Sequence, residues 1–182
     1  LFRSWIERLC HEIHNRGFMG IIMLTGHYSL NQQITVRETA ARLSIRMGIP
    51  VYGSAEFALA CDIGYWGDHG GIGETSILNY IDPTLVELDR VDASTEYNRE
   101  MIEKAKTNLG KTYIDAIVRR ISSLAVHMPK MTQEEIDNMA AAELAVVHAQ
   151  VRGKERWDRY DKLFDAFDWK GISEMAAADT SI

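Results

Sequence analysis

The chain has 182 residues, 46% hydrophobic and 25% charged. That is the composition of an ordinary folded domain, not of a disordered, collagen-like or disulfide-scaffolded polypeptide. Twenty basic against 26 acidic side chains leave a formal net charge of −6, which argues against duplex nucleic acid or an anionic membrane as the main partner.

The chain opens Leu1-Phe2-Arg3-Ser4-Trp5, without Met, N-cap residue or targeting segment, and reads as starting inside a helix. Phe2, Trp5, Ile6, Leu9 and Ile13 give residues 1–16 a helical stripe that Gly17 ends. The apolar run Gly20 to Leu24 predicts a strand buried on both faces of a parallel sheet. A polar loop, Thr25 to Ile34, leads to a Thr35/Glu38 capping-box pattern, which predicts a helix through about Met47, closed by Gly48. Ile49 to Gly53 reads as a second strand, and Ala55 to Ala60 as its extension or the next element.

Residues 62–73 hold five glycines in twelve positions, a loop that lets backbone approach a ligand closely or adopt positive φ repeatedly. A short helix over Glu74 to Tyr80, a turn at Asp82-Pro83 and a third strand over Leu85 to Leu88 follow. Thr95 to His127 reads as one long helix broken by Pro129. Thr132 and Glu135 open an Ala-rich helix to about Gln150, a charged helix spans about 154–169, and 171–182 reads as a frayed tail. Every lysine lies at Lys104 or later. No apolar run approaches the ~18 residues of a membrane span. Cys10 and Cys61 form no CxxC pair, which reads as free buried thiols in a reducing, cytoplasmic setting.

This order of elements is α/β with a mostly parallel sheet. Three strands are few against the usual ~5–6, so further strands are expected to complete it. Ligands of such sheets sit beyond the carboxyl ends of the strands. There the chain places Thr25-Gly26-His27-Tyr28, and His27 reads as a ligand, a general base or a cap of the strand end. A second cluster, Asp68-His69-Gly70-Gly71 and Glu74-Thr75-Ser76, gathers an acid, an imidazole and a carboxylate around a flexible loop, with Tyr65 and Trp66 as an apolar wall. Glu74 at a helix start suits the helix dipole or a metal ligand.

His11-Glu12-Ile13-His14 is not a zinc helix, because its histidines are three apart rather than four. His127, His148, Arg119-Arg120 and the 152–162 charge run read as surface. GxSxG, Walker and GxGxxG patterns are absent, which disfavours serine hydrolases, P-loop proteins and Rossmann dehydrogenases.

Thr25-Gly26-His27-Tyr28 after a buried strand, followed by Asp68-His69-Gly70-Gly71-Ile72-Gly73-Glu74-Thr75-Ser76, then Asp82-Pro83 and Leu88-Asp89, resembles the creatininase (creatinine amidohydrolase) family over roughly residues 1–125. The resemblance implies a three-layer α/β/α fold and a site for two divalent ions (zinc, manganese or iron). It also implies hydrolysis of a non-peptide C–N bond in a small cyclic amide or formamide, and a homo-oligomer, commonly a hexamer. It makes His27 a metal ligand, Tyr28 a neighbour of the substrate, His69 the imidazole that passes a proton to the leaving nitrogen, and Glu74 a carboxylate at or beside the metals. Asp68 is then placed to orient His69 or bind substrate, and Trp66 to cover the substrate ring.

Two departures stand out. The family's upstream Glu-x-His and bridging Asp segment is not read ahead of His27, where no Asp occurs, and Ser29 stands where creatininase proper has a metal-binding Glu. Residues 1–130 are therefore expected to be the C-terminal portion of such a domain, and 131–182 a helical extension packed on it or on a partner. The alternative is a non-catalytic relative that keeps the crevice for ligand binding or assembly.

Overall fold

The computed structural model describes residues 1–181. Strands β1 (Ile21–Thr25) and β2 (Val51–Ala55) pair in parallel, with Ile21 opposite Val51 and Thr25 opposite Ala55. A parallel pair needs a long crossover, which is supplied by helix α2 (Leu30–Met47). Gly53 lets α2 lie directly on β2, since a Cβ there would come within 2.9 Å of the Val36 carbonyl oxygen. Every residue of β2 is buried, whereas β1 is only half covered. Helix α1 (Phe2–Asn15) buries Ile6 and Cys10 against Ile21, Val36 and Leu43, and leaves Trp5 and Leu9 exposed. Cys10 and Cys61 are free and buried.

Helix α2 begins six residues earlier than the capping-box pattern predicts, at Leu30 rather than Val36. Thr35 Oγ1 donates to the Asn31 carbonyl (2.7 Å) from inside the helix, and Glu38 is occupied by Arg3 and Arg42. Gly48 closes α2 in the left-handed region, as expected.

Helix α3 (Ile72–Ile81) follows the glycine loop. The predicted third strand at Leu85–Leu88 is absent: short 3-10 turns span Pro83–Leu85 and Leu88–Arg90. The Asp82 carboxylate accepts from both the amide and the hydroxyl of Thr84, and this local bonding curls the backbone away from a strand. The sheet has two strands among the described residues.

The single helix expected over 95–127 is two, α4 (Glu96–Ala105) and α5 (Leu109–His127). Thr107 separates them, its hydroxyl donating to the Lys104 carbonyl and accepting from Leu109 N–H. The Thr132–Glu135 capping box is formed and opens α6 (Gln133–Val151). The expected helix over 154–169 and the frayed tail are α7 (Trp157–Asp165) and a regular α8 (Trp169–Thr180). The chain turns between them because Asp168 caps α8, accepting from Gly171 N–H at 2.8 Å. Trp169, Ile172 and Ala176 are buried, which is why the segment does not fray.

The C-terminal helices share a core with β2: Tyr52 and Phe57 join Met139, Val146, Trp157 and Trp169 in one buried cluster. Arg37 of α2 ties this core together. It donates to Glu143 Oε1 (3.0 Å) and Ser54 Oγ (2.7 Å), and lies 4.7 Å from the centre of the Trp157 ring. Burial pushes the Glu143 carboxyl up to about 7 against the pull of Arg37. Among the described residues, no helix is long and apolar enough to cross a membrane.

Candidate functional site

Both strands end at the same edge, and the residues that follow them form the site. After β1 the chain runs through Gly26, His27 and Tyr28 into α2, with Thr25 Oγ1 donating to the His27 carbonyl (3.3 Å). His27 is exposed. It stands at one end of an apolar groove of about 520 Å³ between α1 and β1, lined by Trp5, Leu9, Met23 and Leu24 among others.

Tyr28 points the other way. Its hydroxyl donates to Glu56 Oε1 and lies 3.0 Å from the Tyr65 hydroxyl. Its ring meets Phe57 edge-on at 5.1 Å. The hydroxyl is committed to these neighbours and is not free for a ligand. Burial and the adjacent Glu56 carboxylate hold the Tyr28 phenol far above its ordinary range, and burial raises Tyr65 likewise. The Tyr28 carbonyl accepts from Gln33 Nε2 (2.6 Å), and Gln33 Oε1 in turn accepts from Gln150 Nε2 of α6 (3.0 Å). A C-terminal helix thus steadies the loop after β1.

The glycine loop folds over these rings. A Cβ on Gly67 would sit 2.7 Å from the Tyr28 ring, and one on Gly73 equally close to the Tyr65 ring. Gly67 also needs its φ of +65°. These two glycines therefore make room for aromatic side chains of the protein itself. The loop brings His69 face to face with Tyr28, with ring centroids 6.2 Å apart and planes inclined by 26°. His69 and Trp66 are both exposed.

The structure gives Asp68 and Glu74 backbone partners. Asp68 accepts from Gly73 N–H (2.8 Å) and Glu74 N–H (2.9 Å), capping α3 where Gly71, at the N-cap position, has no side chain to do so. Glu74 Oε2 accepts from Gly70 N–H at 2.8 Å. Glu74, in the first turn of α3, thus closes the loop that carries His69, and that loop rests on Tyr28.

Among the described residues, no three His, Cys, Asp or Glu side chains come together to hold a metal ion. With Asp68 and Glu74 engaged by backbone amides, the residues present do not fit a pair of divalent ions.

Sequence reasoning missed Glu56 and the Tyr65 hydroxyl. Glu56 is the first residue after β2, so the rule that singles out His27 beyond β1 points to it equally.

Comparison with curated proteins finds no match, and neither does comparison with solved structures. The family model described as creatininase, creatinine amidohydrolase, matches residues 1–135. The matched stretch contains His27, Tyr28, Glu56, Trp66, Asp68, His69 and Glu74, together with both strands that carry the site, and the chain belongs to the creatininase family.

Proposed function

We propose that the chain serves an amidohydrolase reaction, hydrolysis of a non-peptide C–N bond in a small cyclic amide or formamide, at the carboxyl ends of β1 and β2. The observation that carries this is His69, an exposed imidazole held on the Tyr28 ring where the strands end, in a chain of this family.

The chemistry follows from what these side chains can do. Water adds to the carbonyl carbon, and the C–N bond breaks only as the nitrogen gains a proton. An imidazole is the side chain whose ordinary pKa suits that transfer near neutrality. His69 takes the proton released by the attacking water and returns it to the leaving nitrogen. Trp66 offers a flat apolar surface to a substrate ring. Zinc, manganese or iron would polarise the carbonyl in the arrangement the family resemblance implies. The residues present do not build that site, and no step here passes through it. The three-layer sandwich and the homo-oligomer implied by the same resemblance stand as part of this proposal.

The alternative is a ligand-binding relative without turnover. It is favoured by the use of Asp68 and Glu74 as backbone acceptors.

Amine release from a panel of cyclic amides and formamides, with zinc or manganese supplied, separates the two. Turnover that falls about 10²–10⁴-fold in His69→Gln, with KM little changed, is the expected result. Full activity in His69→Gln contradicts the assignment of His69, and binding without any product selects the alternative.

A further inference from the structure

Glu56 has no role in the chemistry above, yet its environment is unusual for a surface-domain carboxylate. It opens the 3-10 turn Glu56–Leu59 at the end of β2, directly before the buried Phe57, Ala58 and Leu59. Its Oε1 accepts from two phenols, Tyr28 and Tyr65 (3.2 Å for the latter). Its Oε2 is buried and has no hydrogen-bond partner, and no Lys, Arg or His among the described residues forms an ion pair with it. A buried acceptor left unpaired carries a desolvation cost. The carboxylate keeps this cost while its other oxygen holds two phenols, so its role is sought in what those phenols support.

The phenol it grips is the one under the candidate acid–base group. Tyr28 is fixed at three places: the Glu56 carboxylate at its hydroxyl, the Phe57 edge at its ring, and Gln33 at its carbonyl. The same ring carries His69 at a centroid distance of 6.2 Å, and Gly67 packs directly on it. Moving the phenol therefore moves the surface on which the 67–70 stretch rests.

We infer that Glu56 is a positioning residue: by anchoring the Tyr28 hydroxyl it sets the ring against which His69 is held at the mouth of the site. Glu56 does not touch the substrate and acts only through Tyr28. Tyr65 completes the clamp, its ring stacked on Tyr113 of α5 at 5.0 Å, so the anchor is tied to a long helix and not to another loop. A preference for a strong acceptor follows, since a charged oxygen binds a phenol O–H more tightly than a neutral one.

The kinetic arm of the test rests on the proposed hydrolysis, while the spectroscopic arm stands without it. The His69 Cε1–H resonance is followed by NMR in the full chain, in wild type and in Glu56→Gln, Glu56→Leu and Tyr28→Leu. Tyr28→Leu marks where the resonance lies without the ring. Glu56→Leu is expected to carry it most of the way there, and Glu56→Gln, which keeps an acceptor oxygen, only a small part. On the substrate identified by the panel, Glu56→Leu should lower kcat about tenfold to a hundredfold with KM nearly unchanged, and Glu56→Gln should restore most of the loss. If Glu56→Leu folds and leaves His69 at its wild-type position, the inference is overturned. If Glu56→Leu does not fold, Tyr28→Phe decides, since it keeps the ring and removes the hydroxyl that Glu56 grips: a His69 displacement supports the clamp, and none refutes it. A His69 displacement with no hydrolysis by wild type removes the proposed reaction and leaves the positioning role standing.

Discussion

Replacing Arg120 with Met lowers the stability of the chain by about 3–5 kcal/mol, or about 10–15 °C in Tm for a chain of this size. Arg120 is 2% exposed, and all five of its N–H groups are used. Nε and Nη2 donate to Asp165, Nη1 and Nη2 to Asp62, and Nη1 also to the Leu59 carbonyl, at distances of 2.7–2.9 Å. Asp161 lies 3.7 Å away and is itself buried. One guanidinium thus joins α5, the turn after β2 and helix α7, and its removal strands several carboxylates.

The pH dependence of the loss follows from the same contacts. Hydrogen bonds from Arg120 hold the Asp62 and Asp165 carboxyls below the ordinary range. Their stabilisation is therefore fully present above the unfolded carboxylate pKa and is lost as the pH falls through the lowered folded values. The deficit of Arg120→Met is expected to be largest near neutrality and to shrink below about pH 4. Thermal unfolding of both proteins across that range checks it. A deficit that grows on acidification contradicts the described network.

Gly110→Ala is the second large effect. Gly110 is buried in the first turn of α5, and a Cβ there would lie 1.9 Å from the Ser76 carbonyl oxygen and 2.4 Å from its carbon. Both atoms are backbone of α3, so no side chain can swing aside, and α3 must move. Overpacking against backbone is expected to cost about 3 kcal/mol or more. The displacement reaches the site, because α3 begins just after His69 and carries Glu74. A lowered urea midpoint, with altered His69 and Glu74 resonances in whatever fraction folds, is the expected result. A midpoint equal to that of wild type would mean that α3 and α5 do not pack at Gly110.

The elements legible in the sequence are those decided by local pattern. The run Gly20 to Leu24 is short and uniformly apolar, and strand β1 lies there, but burial on both faces does not hold: only Ile21 of β1 is buried and Leu24 is exposed. Thr132 and Glu135 have backbone partners within their own turn, so their capping box forms as read. Thr35 and Glu38 carry the same pattern and fail, because Glu38 is claimed by Arg3 from another helix, a competitor that spacing along the chain does not reveal. The Leu85–Leu88 segment has strand-forming residues but no neighbour to pair with, and Asp82 captures Thr84 first.

The site shows the same division. His27, Tyr28 and His69 stand out by their places after strands and among glycines; the structure brings Tyr28 and His69 together, while His27 stands at the groove between α1 and β1. The glycine density of the loop was readable as close approach. That the approaching groups are the rings of Tyr28 and Tyr65 depends on where two hydroxyls find an acceptor, which only the fold shows. Asp68 reads as an orienting acid, yet it sits where α3 lacks a cap, and Gly73 and Glu74 amides claim it.

The most direct test of where this chain works is amide chemical-shift mapping by NMR with creatinine, a small cyclic acylguanidine with a lactam carbonyl, as the probe. Perturbations concentrated at Tyr28 and along Gly67–Glu74 are predicted, and they should be lost in His69→Gln combined with Trp66→Ala. Perturbations confined to the groove between α1 and β1, or to the surface around Ser122 and Lys130 on α5 and the turn after it, would contradict the placement of the site at the carboxyl ends of the strands.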